Sequence, residues 1–171
     1  IAIEQNPSGV AITDKQGLIE YVNPRFTQIT GFSQEEVIGQ SPSILKSGKT
    51  PPEQYVYLWQ TILSGKSWVG EMINRRKNGE IYWEEAQISP VLGDDGKVLR
   101  YVAVKLNITQ RKEASERLAY MANHDALTDL PNRVLFFERV EQALRLAQRH
   151  QSALALMFLD LDKFKPVNDR Y

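Results

Sequence analysis

Hydrophobic and polar residues alternate in short runs over the first hundred positions, and the period then lengthens. Gly9-Val-Ala-Ile-Thr-Asp14 and Leu18-Ile-Glu-Tyr-Val22 are β-rich runs separated by a turn at Gly17, a pattern that predicts a hairpin. Asn23-Pro24 then opens a helix, with Asn as N-cap and Pro at the first helical position. Phe26, Ile29 and Thr30 share one face of it, and Gly31 stops it. Ser33-Gln-Glu-Glu36 has capping-box spacing for a second short helix that ends at Gly39. A polar loop with Pro42 and Gly48 follows. Thr50-Pro51 repeats the cap-plus-proline signal, and Tyr55, Leu58, Trp59 and Ile62 recur at helical spacing up to Gly65. Residues 67–77, 80–92 and 97–106 are strand-like runs joined by Asn78-Gly79 and Gly93-Asp-Asp-Gly96, so they predict a meander.

From Thr109, read as a helix N-cap, the period is that of a helix running to about Asn123. Ala114, Leu118, Met121 and then Asp125 fall at spacings of four, three and four, a narrow stripe of the kind that faces a second helix. Pro131 disfavours helical backbone at Leu130 and restarts the chain. Residues 133–150 lack Gly and Pro, and place Val134, Phe137, Val140, Leu144 and Ala147 along one face. Ala153 to Leu159 is almost wholly apolar, as expected of a central strand buried on both faces, and Asp160 sits at its end.

Two strands, a cluster of short helices and three strands is the element order of the PAS fold. Asn23 to Phe32 (N-P-x-F-x-x-I-T-G-F), Asn74 to Tyr82 (N-R-R-K-N-G-E-x-Y) and the ending Asn107-Ile-Thr-Gln-Arg-Lys112 resemble PAS motifs, with Asn107 where the family usually has Asp. The stretch D-x-L-T-x-L-P-N-R, Asp125 to Arg133, resembles the opening of GGDEF domains, the diguanylate cyclase family. The resemblance implies an α+β chain: a PAS domain over 1–108 with a five-stranded antiparallel sheet covered by helices on one face. A signalling linker over 109–130 and the first helix and strand of an α/β GGDEF domain over 131–171 follow. The resemblance further implies that Asn107, just before that linker, and Thr109, Leu118 and Asp125 within it pass the signal.

Composition narrows this only a little. Twenty-one Lys plus Arg balance twenty-one Asp plus Glu, so no net field favours nucleic acid or an anionic membrane surface. Hydrophobic content of 42% and charged content of 25% are ordinary for a soluble globular chain, and no run approaches the length of a membrane span. No signal peptide is visible. A cytoplasmic location is expected, with any membrane segment of a parent lying upstream.

Cysteine count decides more. With no Cys, a flavin–cysteine adduct, a thioester-linked chromophore and disulfides are excluded within these residues. Both histidines, His124 and His150, lie outside the PAS stretch, which leaves Met72 as the formal haem ligand there, a residue better read as core. Ile44 to Trp59, then Trp68-x-Gly70, then Asn74-Arg-Arg-Lys77 resemble the FAD-binding PAS domains of the NifL type. That resemblance implies a non-covalent FAD with Trp59 against it, Asn74 bonded to its polar ring edge, and Trp68 nearby. Pro42 stands where that family has a Glu contacting the ring. An empty pocket and another small ligand stay open as alternatives.

A carboxylate at the end of a buried strand, such as Asp160, can hold Mg²⁺. The GGDEF resemblance implies that Asp160 and the Leu161 carbonyl bind that metal, that Lys165 meets phosphate and that Asn168 contacts guanine. The signature G-G-[DE]-E-F turn is expected beyond Tyr171, so these residues alone are not expected to be a competent cyclase. The expected parent condenses two GTP into cyclic di-GMP and works as a homodimer, since each subunit brings one GTP. The alternative is a ligand-free PAS dimerisation module regulating a degenerate GGDEF domain or a downstream phosphodiesterase.

Overall fold

The computed structural model describes residues 4–160. It forms two compact units, one reaching to Glu116 and one starting at Arg117. The first is built on a five-stranded antiparallel sheet of order β2-β1-β5-β4-β3, made by β1 (Gly9–Asp14), β2 (Ile19–Val22), β3 (Trp68–Arg75), β4 (Ile81–Leu92) and β5 (Val98–Asn107). Between β2 and β3 run α1 (Pro24–Thr30), α2 (Gln34–Val37), a 3₁₀ turn (Pro42–Leu45) and α3 (Pro52–Leu63). The β1–β2 hairpin and the β3–β4–β5 meander are those the hydrophobic pattern predicts, and the β1–β5 pairing joins them into the single sheet that the PAS resemblance implies.

The sequence signals act mostly as read. Asn23 Oδ1 caps α1 by accepting from Phe26 N at 2.9 Å, and it also accepts from Val10 N at 2.8 Å, fastening the helix to β1. Ser33 and Glu36 complete the capping box of α2. Strand alternation turns Trp68, Met72 and Asn74 of β3, Tyr82, Glu84 and Ala86 of β4, and Tyr101, Ala103 and Lys105 of β5 inward. The core has two parts. Phe26, Val37 and Leu45 gather on β1 and β2, while Leu58 and Ile62 of α3 gather with Trp68 and Met72 on the other half of the sheet.

Three local expectations are corrected. Thr50 does not cap α3, whose N-cap is Pro51 without a side-chain bond; its hydroxyl instead accepts from Ile73 N at 2.8 Å and so ties the loop to β3. Thr109 is likewise no cap. Its hydroxyl accepts from Trp83 N at 2.9 Å, and Asn107 Oδ1 supplies the local turn by accepting from Thr109 N at 3.0 Å. In both cases a β-strand N–H outcompetes the helix for the hydroxyl oxygen. The third concerns Ala153 to Leu159, which is exposed and in no strand. A central strand draws its hydrogen bonds from neighbours on both sides, and no strand pairs with this run among the described residues.

The second unit contains the end of α4 (Thr109–Asn123), a turn, and α5 (Arg133–His150). Asp125 Oδ1 holds the turn by accepting from Leu127 N, Thr128 N and the Thr128 hydroxyl at 2.8–3.2 Å. Asn132 Oδ1 caps α5, Asn132 Nδ2 donates to Ala122 O at 2.8 Å, and the Tyr120 hydroxyl donates to Asp129 Oδ1 at 3.0 Å, so the turn is tied to α4 on both sides of Pro131. The stripe of Ala114, Leu118 and Met121 is exposed along α4. No described helix is long and apolar enough to cross a membrane.

Candidate functional site

A cavity of about 190 Å³ lies between α3, the 3₁₀ turn and the inner face of the sheet. Its walls are mainly apolar, from Ala11, Leu58, Ile62, Met72 and Ala103, with Asn74 and Lys105 also facing it. Two strand registers place these polar groups. Asn74 of β3 pairs with Tyr82 of β4, and Lys105 of β5 pairs with Ala86, which sets Glu84 on the diagonal between Asn74 and Lys105. Asn74 Nδ2 donates to Glu84 Oε1 at 3.2 Å, Lys105 Nζ to the same oxygen at 2.7 Å, and the Tyr82 hydroxyl to Glu84 Oε2 at 3.2 Å. All four residues are buried. Burial first, and then the adjacent Glu84 charge, push the Tyr82 phenol far above its usual range, so it stays a donor at any ordinary pH.

Tyr55, Lys46 and Trp59 also line the cavity. Lys46 is held by a backbone bridge to Asn74, and its Nζ lies 4.1 Å from the centre of the Tyr55 ring. The Tyr55 hydroxyl is enclosed and has no hydrogen-bond partner among the described residues. Trp59 is half exposed at the mouth and packs edge-on against Tyr101, with ring centroids 6.2 Å apart. Its tip lies against Gly17, where a Cβ would approach the ring to 3.2 Å in a backbone of φ +85°. A side chain at position 17 would therefore push the indole away.

Asn74 and Trp59 thus line one cavity, as does Pro42. Trp68 does not line it: it is buried in the core with Ile62 and Met72, folded over Gly70. Asp160 is described and exposed, whereas Leu161, Lys165 and Asn168 lie outside the described residues. No cluster of three or more metal-ligating His, Cys, Asp or Glu side chains occurs among the described residues.

The sequence pattern assigns none of Glu84, Lys105, Tyr82 and Tyr55 to the site, although Tyr55 stands in the α3 stripe and Tyr82 ends a PAS motif. A signal for the first two was present. Glu84 falls in the inward phase between Tyr82 and Ala86, and Lys105 in that of Tyr101 and Ala103, so opposite charges occupy core positions of neighbouring strands.

The floor is also joined to the linker. Trp83, between Tyr82 and Glu84, donates its N–H to Thr109 Oγ1, and its carbonyl accepts from Ile108 N at 2.9 Å. On the opposite face of the sheet Arg111 pairs with Glu85 at 3.1 Å and Lys112 with Glu71 at 2.6 Å, while Lys112 Nζ lies 4.9 Å from the Trp83 ring centre. The first turn of α4 is thereby clamped onto the two strands that carry Asn74 and Glu84.

Residues 7–110 match the family model of the PAS domain, and residues 122–171 that of the diguanylate cyclase GGDEF domain. The nitrogen fixation regulatory protein of Klebsiella oxytoca is 35% identical over 127 residues, covering 74% of this chain and 25% of that protein. The probable diguanylate cyclase DgcE of Escherichia coli is 28% identical over 173 residues, covering 99% of this chain and 16% of that protein. Among solved structures, the LOV domain of a blue-light activated histidine kinase from Erythrobacter litoralis superposes with a TM-score of 0.58 at 27% identity, over 62% of this chain and all of that one. The chain spans about a quarter of the nitrogen fixation regulator and less of the cyclase.

Proposed function

We propose, for a chain that belongs to the PAS domain family and continues into a GGDEF domain, a flavin-holding sensor module that controls the synthesis of cyclic di-GMP from GTP. The observation that carries this reading is the cavity whose polar floor is hydrogen-bonded, through Trp83, to the first residues of the linker helix. The residues fit a flavin ring. Apolar walls suit its faces, the Asn74 amide suits an edge of alternating donors and acceptors, and the enclosed Tyr55 hydroxyl still needs a partner. The volume of about 190 Å³ is below the roughly 300–1,000 Å³ of pockets that enclose whole ligands, so the cavity would hold the ring portion only.

Bound there, a flavin would supply reversible electron transfer. Asn74 carries both a donor and an acceptor and could present either to the ring edge by turning its amide. Turning it would break the Asn74–Glu84 bond, and the strands that carry these two residues are the ones that Thr109, Arg111 and Lys112 fasten to the start of α4. Output requires two GTP-bearing subunits, and the exposed Ala114, Leu118 and Met121 offer a seam for a parallel homodimer along α4. In the complete cyclase domain Asp160 and the Leu161 carbonyl would hold Mg²⁺, and Lys165 and Asn168 would meet GTP.

Amide hydrogen exchange of the flavin-loaded protein, oxidised and then reduced anaerobically, tests the coupling. Protection at Trp83 and residues 108–112 should change between the two states. Identical exchange in both states overturns it.

A further inference from the structure

Glu84 and Lys105 divide their hydrogen bonds unequally. Both carboxylate oxygens have protein donors: Asn74 Nδ2 and Lys105 Nζ on one, the Tyr82 hydroxyl on the other. An ammonium carries three N–H donors, and among the described residues Glu84 is the one partner of Lys105 Nζ. Its side chain is 8% exposed and faces the cavity. Burying donors without acceptors is unfavourable, so Lys105 gains whenever something in the cavity accepts from it. The charges of Lys105 and Glu84 cancel, which removes any need for an anion and favours a neutral acceptor such as a ring carbonyl.

We propose that Lys105 is a specificity-determining residue of this cavity, gripping a ring carbonyl with its spare N–H donors, and that Glu84 is the positioning residue that holds the ammonium at the floor. The identity of the ring rests on the flavin reading. A carbonyl of the flavin pyrimidine portion is the acceptor, and the flavin phosphates take no part. Planar ligands that lack such a carbonyl are rejected because they leave the buried ammonium unanswered.

The test is quenching of flavin fluorescence by the whole 171-residue chain, with riboflavin and FAD as probes. Lys105→Met should weaken both probes alike, by about tenfold or more, the scale of one lost charge-assisted hydrogen bond. Since Lys105→Met leaves Glu84 without its cation, the double variant Glu84→Gln/Lys105→Met is measured beside it. It should melt as cooperatively as the wild type and still bind both probes weakly. Riboflavin analogues with sulfur in place of the 2- or the 4-carbonyl oxygen, a poorer acceptor, separate recognition from mere structural support. The wild type should discriminate against one of them by about tenfold, and both Lys105→Met and Glu84→Gln should lose that discrimination. Unchanged binding in the double variant, a loss confined to FAD, or equal binding of both sulfur analogues by the wild type overturns the assignment. A wild type that binds neither riboflavin nor FAD overturns the flavin reading, and the role of Lys105 falls with it.

Discussion

Lys105 Nζ and Glu84 Oε1 lie 2.7 Å apart on neighbouring strands of the sheet, both side chains almost wholly removed from water. Such a pair is a poor source of stability but a severe loss when halved, because the remaining charge is left buried alone. Glu84→Ala should cost about 3–5 kcal/mol in urea unfolding, whereas Glu84→Gln with Lys105→Met, which removes both charges but keeps an acceptor for Asn74 and Tyr82, should cost clearly less. Equal losses in the single and double variants would contradict the pairing.

Trp68 and Gly70 form a second dependence. A Cβ on Gly70 would come within 2.4 Å of the Trp68 indole, which is itself buried and cannot swing into solvent. Gly70→Ala should destabilise by about 1–3 kcal/mol through overpacking. Thermal unfolding at wild-type temperature would remove the claim.

These two contacts show what was legible in the sequence. The meander, the capped α1 and the helix of Tyr55 to Ile62 depend on local pattern and short-range chemistry, so they could be read off. Asn74 was legible through its motif, but its partners were not, because the diagonal that joins it to Glu84 and Lys105 exists only once three strands are in register. Thr50 and Thr109 misled for the same reason: their hydroxyls had local helical uses, and a distant strand N–H took them instead. The apolar run of Ala153 to Leu159 signals a buried strand, yet a strand exists only beside another.

Asp125 gives a pH dependence. The Thr128 hydroxyl first, then the backbone N–H groups of Thr128 and Leu127, hold its carboxyl below the usual range. Since the charged form makes these bonds, their contribution is present above the unfolded carboxylate value and is lost as pH falls through the lower folded value. The amides of residues 127 and 128 should therefore shift in an NMR titration only on the acid side of ordinary Asp titration. Thr128→Val should move that transition upward, and an unmoved midpoint would show that the hydroxyl is not the main cause.

Leu118 is exposed on α4 in line with Ala114 and Met121. If that stripe is a dimer seam, Leu118→Asp should convert a dimer into a monomer at tens of micromolar, on the order of the concentrations at which modest interfaces assemble. A wild type that is already monomeric by light scattering at that concentration would rule the seam out.

The central claim is that the cavity above Asn74 holds a flavin. Its most direct measurement is the absorption spectrum of the protein after incubation with excess FAD and desalting. The wild type should keep one flavin per chain, with resolved bands near the flavin region. Asn74→Ala should fold normally and retain flavin about 5- to 150-fold more weakly, the effect of losing a desolvated hydrogen bond worth about 1–3 kcal/mol. A wild type that emerges colourless from that experiment would contradict the account.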